Sequence, residues 1–262
     1  MAFNHLGTTA VSQSNGESSP LDSEPEAVKS KRIISLFPPL TETIYALKEE
    51  RHLIGRSSYC KTPVEALSLQ EYGTGLTPNL EEIAKAKPGL IFIDGSSGNK
   101  AAQLKTLGTV ESLSWTSQSD ALESIQTLGD LLDASQKADA LTSTFKSTLK
   151  PQNTSDSPRL LLVLAGDSLG KGPLWFLKDQ SLHGDAIKAA GFNNAISNPI
   201  KGPPSLSIEK LFTVDPDIII VLATDNYTKE QAATLPSQFD TLKPLAAVKN
   251  NRIGVLHGTK FV

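Results

Sequence analysis

Two glutamates stand at matching places in a duplicated stretch. Asn79-Leu80-Glu81-Glu82-Ile83-Ala84-Lys85-Ala86 leads through Lys87-Pro88 to the apolar run Leu90-Ile91-Phe92-Ile93. Ser207-Ile208-Glu209-Lys210-Leu211-Phe212-Thr213-Val214 leads through Asp215-Pro216 to Ile218-Ile219-Ile220-Val221. Asn79 and Ser207, Glu81 and Glu209, and Pro88 and Pro216 are each 128 residues apart. A carboxylate in the first turn of a helix is favoured by the free amides and dipole there, and that alone accounts for a glutamate at each position.

Other chemistry is excluded by spacing. His5, His52, His183 and His257 form no pair at metal-ligand separation, and Cys60 is the single cysteine, so neither a zinc cluster nor an intrachain disulfide is expected. Gly166 to Gly172 is rich in glycine, but Pro173 follows where a phosphate loop needs Ser or Thr and then a helix. Asp94 has no evident acid partner, so acid-base catalysis has no specific support. Tyr59 lies in a loop just after a strand, where an aromatic ring can stack and offer a hydroxyl.

The elements that would position these residues follow from periodicity. Arg32-Ile33-Ile34-Ser35-Leu36 reads as a buried strand, Thr41 as the cap of a helix running through Ile44 and Leu47, and His52-Leu53-Ile54-Gly55 as a second strand. The continuous runs Leu90–Ile93 and Ile218–Val221 predict strands buried on both faces. Arg159-Leu160-Leu161-Leu162-Val163 repeats the opening strand 127 residues after Arg32. Two lobes of similar α/β build are implied. Between them, Leu122, Ile125, Leu128, Leu131 and Leu132 keep helical spacing, with Gly129 slightly weakening the helix, and Leu141, Phe145 and Leu149 continue it in a second helical stretch from about Ser135 until Pro151. The expected organisation is a disordered leader over 1–30, a first lobe over 31–119, a helical linker over 120–150 and a second lobe over 151–262. A helical spine bends little, so lobe closure should be small. The leader lacks the basic and apolar regions of a signal peptide.

With 262 residues, a net charge of -3 and 20% charged residues, the chain is long enough for a large core and lacks the basic excess of a nucleic-acid binder. No apolar run reaches the ~20 residues of a transmembrane helix.

The sequence resembles a known family in several ordered blocks. Ser35-Leu36-Phe37-Pro38-Pro39-Leu40-Thr41-Glu42 looks like the opening strand and first turn of the helical-spine (class III) periplasmic binding proteins of ABC importers. Gly55-Arg56-Ser57-Ser58-Tyr59-Cys60-Lys61-Thr62-Pro63 resembles especially the vitamin B12 (cobalamin)-binding branch, and Ala189-Ala190-Gly191-Phe192-Asn193-Asn194 a helix end in the second lobe. The resemblance spans roughly residues 31–258. It implies mainly parallel sheets in two lobes joined by a long α-helix, with ligand in the cleft between them.

The resemblance also implies roles. Glu81 and Glu209 correspond to the exposed glutamates that dock each lobe onto basic residues of the permease dimer, where charge complementarity sets orientation and speeds encounter. Tyr59, Pro39 and Asp94-Gly95-Ser96 are expected on the first lobe's side of the cleft; Trp175, Phe176, Pro204 and His257 on the second. Trp175 and Phe176 have a plain alternative as core aromatics, and Tyr59 as a rim residue. The implied function is capture of cobalamin or a related corrinoid by a monomer and delivery to an importer, without catalysis or a resident cofactor, in the periplasm or at the cell surface. Haem or a ferric siderophore is the alternative cargo, and a non-exported corrinoid-related sensor or enzyme the alternative class. The cobalamin branch carries several tryptophans around its pocket, whereas here only Trp115 and Trp175 are present, with Gly75 and Pro203 at two places where one is expected. The chain also stops soon after its last strand, short of the closing helix that the family carries.

Overall fold

A computed structural model describes residues 31–95, 98–167, 169–198 and 202–258. The leader expected over 1–30, Ser96 and the last four residues lie outside them. The first lobe is a parallel sheet in the order β3-β2-β1-β4-β5, formed by β1 (Ile33–Ser35), β2 (Leu53–Arg56), β3 (Gln70–Glu71), β4 (Leu90–Asp94) and β5 (Thr109–Leu113). Helix α1 (Pro38–Ala46) follows β1, α2 (Leu80–Ala86) precedes β4, and α3 (Gly98–Leu104) follows it. Alternate strand residues go to opposite faces. Ile33, Leu53, Leu90 and Phe92 pack with Leu40 and Ile44 of α1, while Ile34, Ile91 and Ile93 pack with Ile83 of α2 and Leu104 of α3. Both faces are covered, which is why these strands read as unbroken apolar runs.

Two helices follow, α4 (Gln118–Leu131) and α5 (Ser135–Thr148), each of 14 residues. They form a folded-back pair, the second helix starting at Ser135, and not the one long helix that the resemblance implies. Asp133, with φ of 56°, turns the chain between them, and Lys31 donates to its carboxylate at 2.9 Å. Gly129 has a packing role that propensity hides. A Cβ placed there would lie 2.4 Å from the Cβ of Ala138 and 3.3 Å from the Cα of Ser135, so the glycine lets the helices cross closely. Ile125, Leu128, Leu132, Ala138, Leu141 and Phe145 all join the first lobe's core. The buried Glu49 carboxylate reinforces this, with Lys137 of α5 at 2.7 Å and Arg51 at 2.6 Å.

The second lobe has a parallel sheet in the order β11-β10-β6-β8, from β6 (Arg159–Leu164), β8 (Asn193–Asn194), β10 (Ile218–Ala223) and β11 (Ile253–His257). A small antiparallel ribbon pairs β7 (Leu174–Trp175) with β9 (Ser205–Leu206). Helices α6 (Leu182–Ala189), α7 (Ile208–Val214), α8 (Lys229–Thr234) and α9 (Ala246–Lys249) complete it. The strap from Pro151 to Pro158 is stitched to this lobe. Gln152 N–H donates to Lys188 O at 2.9 Å, Asn153 Nδ2 to Asn193 Oδ1 at 2.6 Å, and Asn193 Nδ2 to Thr154 O at 2.8 Å.

Candidate ligand-binding site

The duplicated helices are built alike. Asn79 and Ser207 cap α2 and α7, accepting from the amides of Glu82 and Lys210. This puts Glu81 and Glu209 at the second helical position in each lobe. Each helix ends in a left-handed residue, Lys87 with φ of 48° and Asp215 with φ of 42°, before a proline and a strand. Sequence reasoning missed what holds these ends. Arg32 donates through Nε to Lys87 O at 3.3 Å and through Nη2 to Ala86 O, while Arg159 donates through Nη1 to Val214 O at 2.8 Å and through Nη2 to Asp215 O. A guanidinium therefore satisfies otherwise unpaired carbonyls at both C-termini. The arginine repeat was visible as a strand start; its reach to a helix end is a long-range contact that spacing does not encode.

The two glutamates differ in their surroundings. Lys85 pairs with Glu81 at 2.7 Å and Glu82 at 2.8 Å. Glu209 forms no such pair among the described residues; hydrogen bonds from the Ser207 side chain and from its own backbone amide hold its carboxyl below the usual range, keeping it ionised.

A recess of about 1040 Å³ lies between the lobes. From the first lobe come Phe37, Pro38 and Pro39 at the start of α1, Tyr59 and Lys61 from the loop after β2, and Trp115 and Thr116 after β5. Ile125, Leu141 and Phe145 of the helical pair form its floor, and Ser181, Leu182 and His183 at the start of α6 bring in the second lobe. Trp115 and Phe145 meet edge to face, with ring centres 6.3 Å apart and planes at 73°. Glu42 also borders the recess, and burial raises its carboxyl above the ordinary value.

The structure brings together only part of the expected set. Pro39 and Tyr59 line the recess, the tyrosine being 68% exposed. Asp94 ends β4 and Gly95 follows, its amide donating to Leu113 O at 3.1 Å. Trp175 is 51% exposed on the β7–β9 ribbon; Pro204 precedes β9, its carbonyl accepting from Phe176 N–H at 2.9 Å. His257 ends β11 with Nε2 2.8 Å from Tyr227 O. None of these five lines the recess. Phe176 is a correction: it is 1% exposed and packs with Val163, Leu174 and Leu206 in the second lobe's core, so it offers no surface to a ligand. Cys60 is fully buried against Thr41, and burial raises its thiol. Trp115, Phe145 and Ser181–His183 were missed, because what gathers them is the fold-back of α4 on α5 and the approach of α6.

Comparison with known proteins agrees with this architecture. The sequence profile of one family, described as periplasmic binding protein, matches residues 33–259. The chain belongs to that family. This periplasmic binding protein is 28% identical over 198 residues to the vitamin B12-binding protein of Photorhabdus laumondii, covering 72% of this chain and 70% of the relative. Among solved structures, the periplasmic vitamin B12-binding protein of Vibrio cholerae is similar with a TM-score of 0.70 and 24% identity, covering 86% of this chain and 87% of that one. The periplasmic haem-binding protein of the same organism is similar with a TM-score of 0.74 and 19% identity, covering 87% and 90%. The two-lobed α/β fold of periplasmic binding proteins is thus shared by proteins with different cargo.

Proposed function

We propose that this periplasmic binding protein captures cobalamin or a related corrinoid and delivers it, outside the cytoplasm, to an ABC importer. The recess carries the reading. Its volume of about 1040 Å³ suits a bulky ligand, lying at the upper end of the ~300–1,000 Å³ usual for small-molecule sites. Its wall is mostly aromatic, proline and aliphatic, and Lys61 is the one lysine or arginine among its lining residues. Such a wall, with Thr43, Thr62, Thr116 and Ser181 among its apolar groups, favours a large macrocycle of no net charge over a strongly anionic ferric complex, which would leave charge buried without partners. The sequence similarity to a vitamin B12-binding relative points the same way. Glu81 and Glu209 supply one acidic prong per lobe for a basic permease surface, by charge complementarity.

Titration with cyanocobalamin, followed by Trp115 fluorescence and calorimetry, tests the cargo. Saturable binding is expected, and none at ~100 μM would sink the cobalamin reading, since useful capture requires far tighter affinity.

Haem is the second reading, favoured by one observation: Tyr59 and His183, both capable of ligating iron, border the same recess. If haemin gives a ligated visible spectrum that Tyr59→Phe or His183→Ala abolishes, while cyanocobalamin fails to bind, haem replaces cobalamin as cargo.

A further inference from the structure

The first amides of α4 and α6 are each satisfied from the opposite lobe. Ser117 caps α4, accepting from Asp120 N–H at 3.2 Å, and Asp120 Oδ2 accepts from Ser117 N–H at 3.1 Å. Neither of these bonds takes the amide of Gln118, the first residue of α4. It donates 3.2 Å across the lobe boundary to Asp185 Oδ2 of α6. The first amide of α6, from Leu182, donates in turn to Thr116 O at 3.0 Å. Helix N-termini leave such amides without intrahelical partners, and here each lobe fills the other's vacancy. One carboxylate, on Asp185, lies in the first turn of its own helix and at the start of another, favoured by both dipoles.

The second lobe's side of this contact is rigidly built. Ser181 caps α6, accepting from Gly184 N–H at 3.1 Å and donating to Lys178 O at 2.6 Å. Lys188 pairs with Asp179 at 3.0 Å. A Cβ on Gly184 would fall 1.9 Å from Asp179 O, so backbone packs on backbone there. Ile187 anchors α6 on the second sheet with Leu160, Leu162 and Leu222. The three residues that this lobe gives to the recess, Ser181, Leu182 and His183, sit within this segment, facing Thr116 and Trp115.

We propose that Asp185 is a positioning residue for the recess. With the Thr116–Leu182 bond it latches the lip formed by Ser181–His183 onto the first lobe, fixing the width of the site, and it does so without lining the site itself. This deepens the reading of the recess as the ligand site and rests on it.

Paired spin labels at Lys105→Cys and Lys229→Cys, one exposed position in each lobe, would report the distance between lobes; the native Cys60, fully buried, stays unlabelled. In Asp185→Ala, the ligand-free distance distribution should broaden, and affinity for cyanocobalamin should fall roughly tenfold, the effect of losing one charge-assisted bond. Asp185→Asn keeps an acceptor but loses the charge, so it should broaden the distribution and weaken binding in the same direction to a smaller degree, and it stands in if the alanine variant fails to fold. A distribution unchanged in both variants overturns the latch. Broadening in a protein that binds neither cyanocobalamin nor haemin supports the latch and refutes the recess as their site.

Discussion

Gly129→Ala is a test of how the helical pair is packed, because two effects of known sign oppose each other. In an exposed helix, alanine in place of glycine stabilises by about 1 kcal/mol. Here the new methyl would lie 2.4 Å from the Cβ of Ala138, with the Cα of Ser135 at 3.3 Å and the carbonyl oxygen of Ala134 at 3.5 Å. Methyl groups rest at roughly 3.5–4.0 Å, so α4 and α5 must part by more than ~1 Å. Backbone neighbours cannot rotate away, which places the overpacking cost near the upper end of ~1–3 kcal/mol. The net expectation is a loss of about 2 kcal/mol, or a melting temperature lower by roughly 4–8 °C. Ala138→Gly alone should lose a similar amount, about 1 kcal/mol from propensity and about 0.8 from a buried methyl. The double variant moves the methyl from one helix to the other and should recover most of the combined loss. Thermal or urea unfolding of all four proteins checks this. A rise in stability for Gly129→Ala, or strictly additive losses in the double variant, would refute the close crossing. Because Ile125, Leu141 and Phe145 ride on these helices into the recess, the single variant should also weaken ligand binding.

Three further outcomes are expected. Arg159→Met removes the guanidinium from the end of α7 and should cost about 1 kcal/mol; faster hydrogen exchange confined to α7 would show it, and unchanged exchange would contradict the twin-cap assignment. His52 accepts from Lys31 N–H through Nδ1 at 3.1 Å, and burial lowers its pKa below the ordinary histidine value. The unfolded chain therefore takes up the proton first, so stability is present above about pH 6.5 and is lost as pH falls below it; melting curves from pH 7.5 to 5.5 should decline less steeply for His52→Gln than for wild type. Trp115→Ala should weaken cyanocobalamin binding by about 10- to 100-fold, since it strips an aromatic wall from the recess, whereas Trp115→Phe should retain most affinity in calorimetry.

Local periodicity and the duplicated blocks carried most of the architecture. The apolar runs Leu90–Ile93 and Ile218–Val221 could only be strands covered on both sides, and the shared offset of Glu81 and Glu209 fixed their equivalent helical positions. What remained hidden was contact between distant segments. In Leu174-Trp175-Phe176, Trp175 points outward while both neighbours are buried, and only pairing of β7 with β9 decides which. The turn at Asp133 folds the two helical stretches into a hairpin, yet no glycine or proline marks the reversal. Ser181-Leu182-His183 has the polar start of any capped helix; its place beside Trp115 depends on how two lobes approach.

The strap has a mechanical consequence. It leaves α5 at Leu149 and is already fastened to the C-terminal end of α6 by Gln152, so little more than Lys150 and Pro151 separates the two bodies along the chain. The N-terminal end of the same helix touches the start of α4. Helix α6 is therefore fastened near both ends and lies, about 12 Å long, like an axle between them. Swinging around that line is the cheap motion; sliding or twisting across it would have to break one fastening or the other.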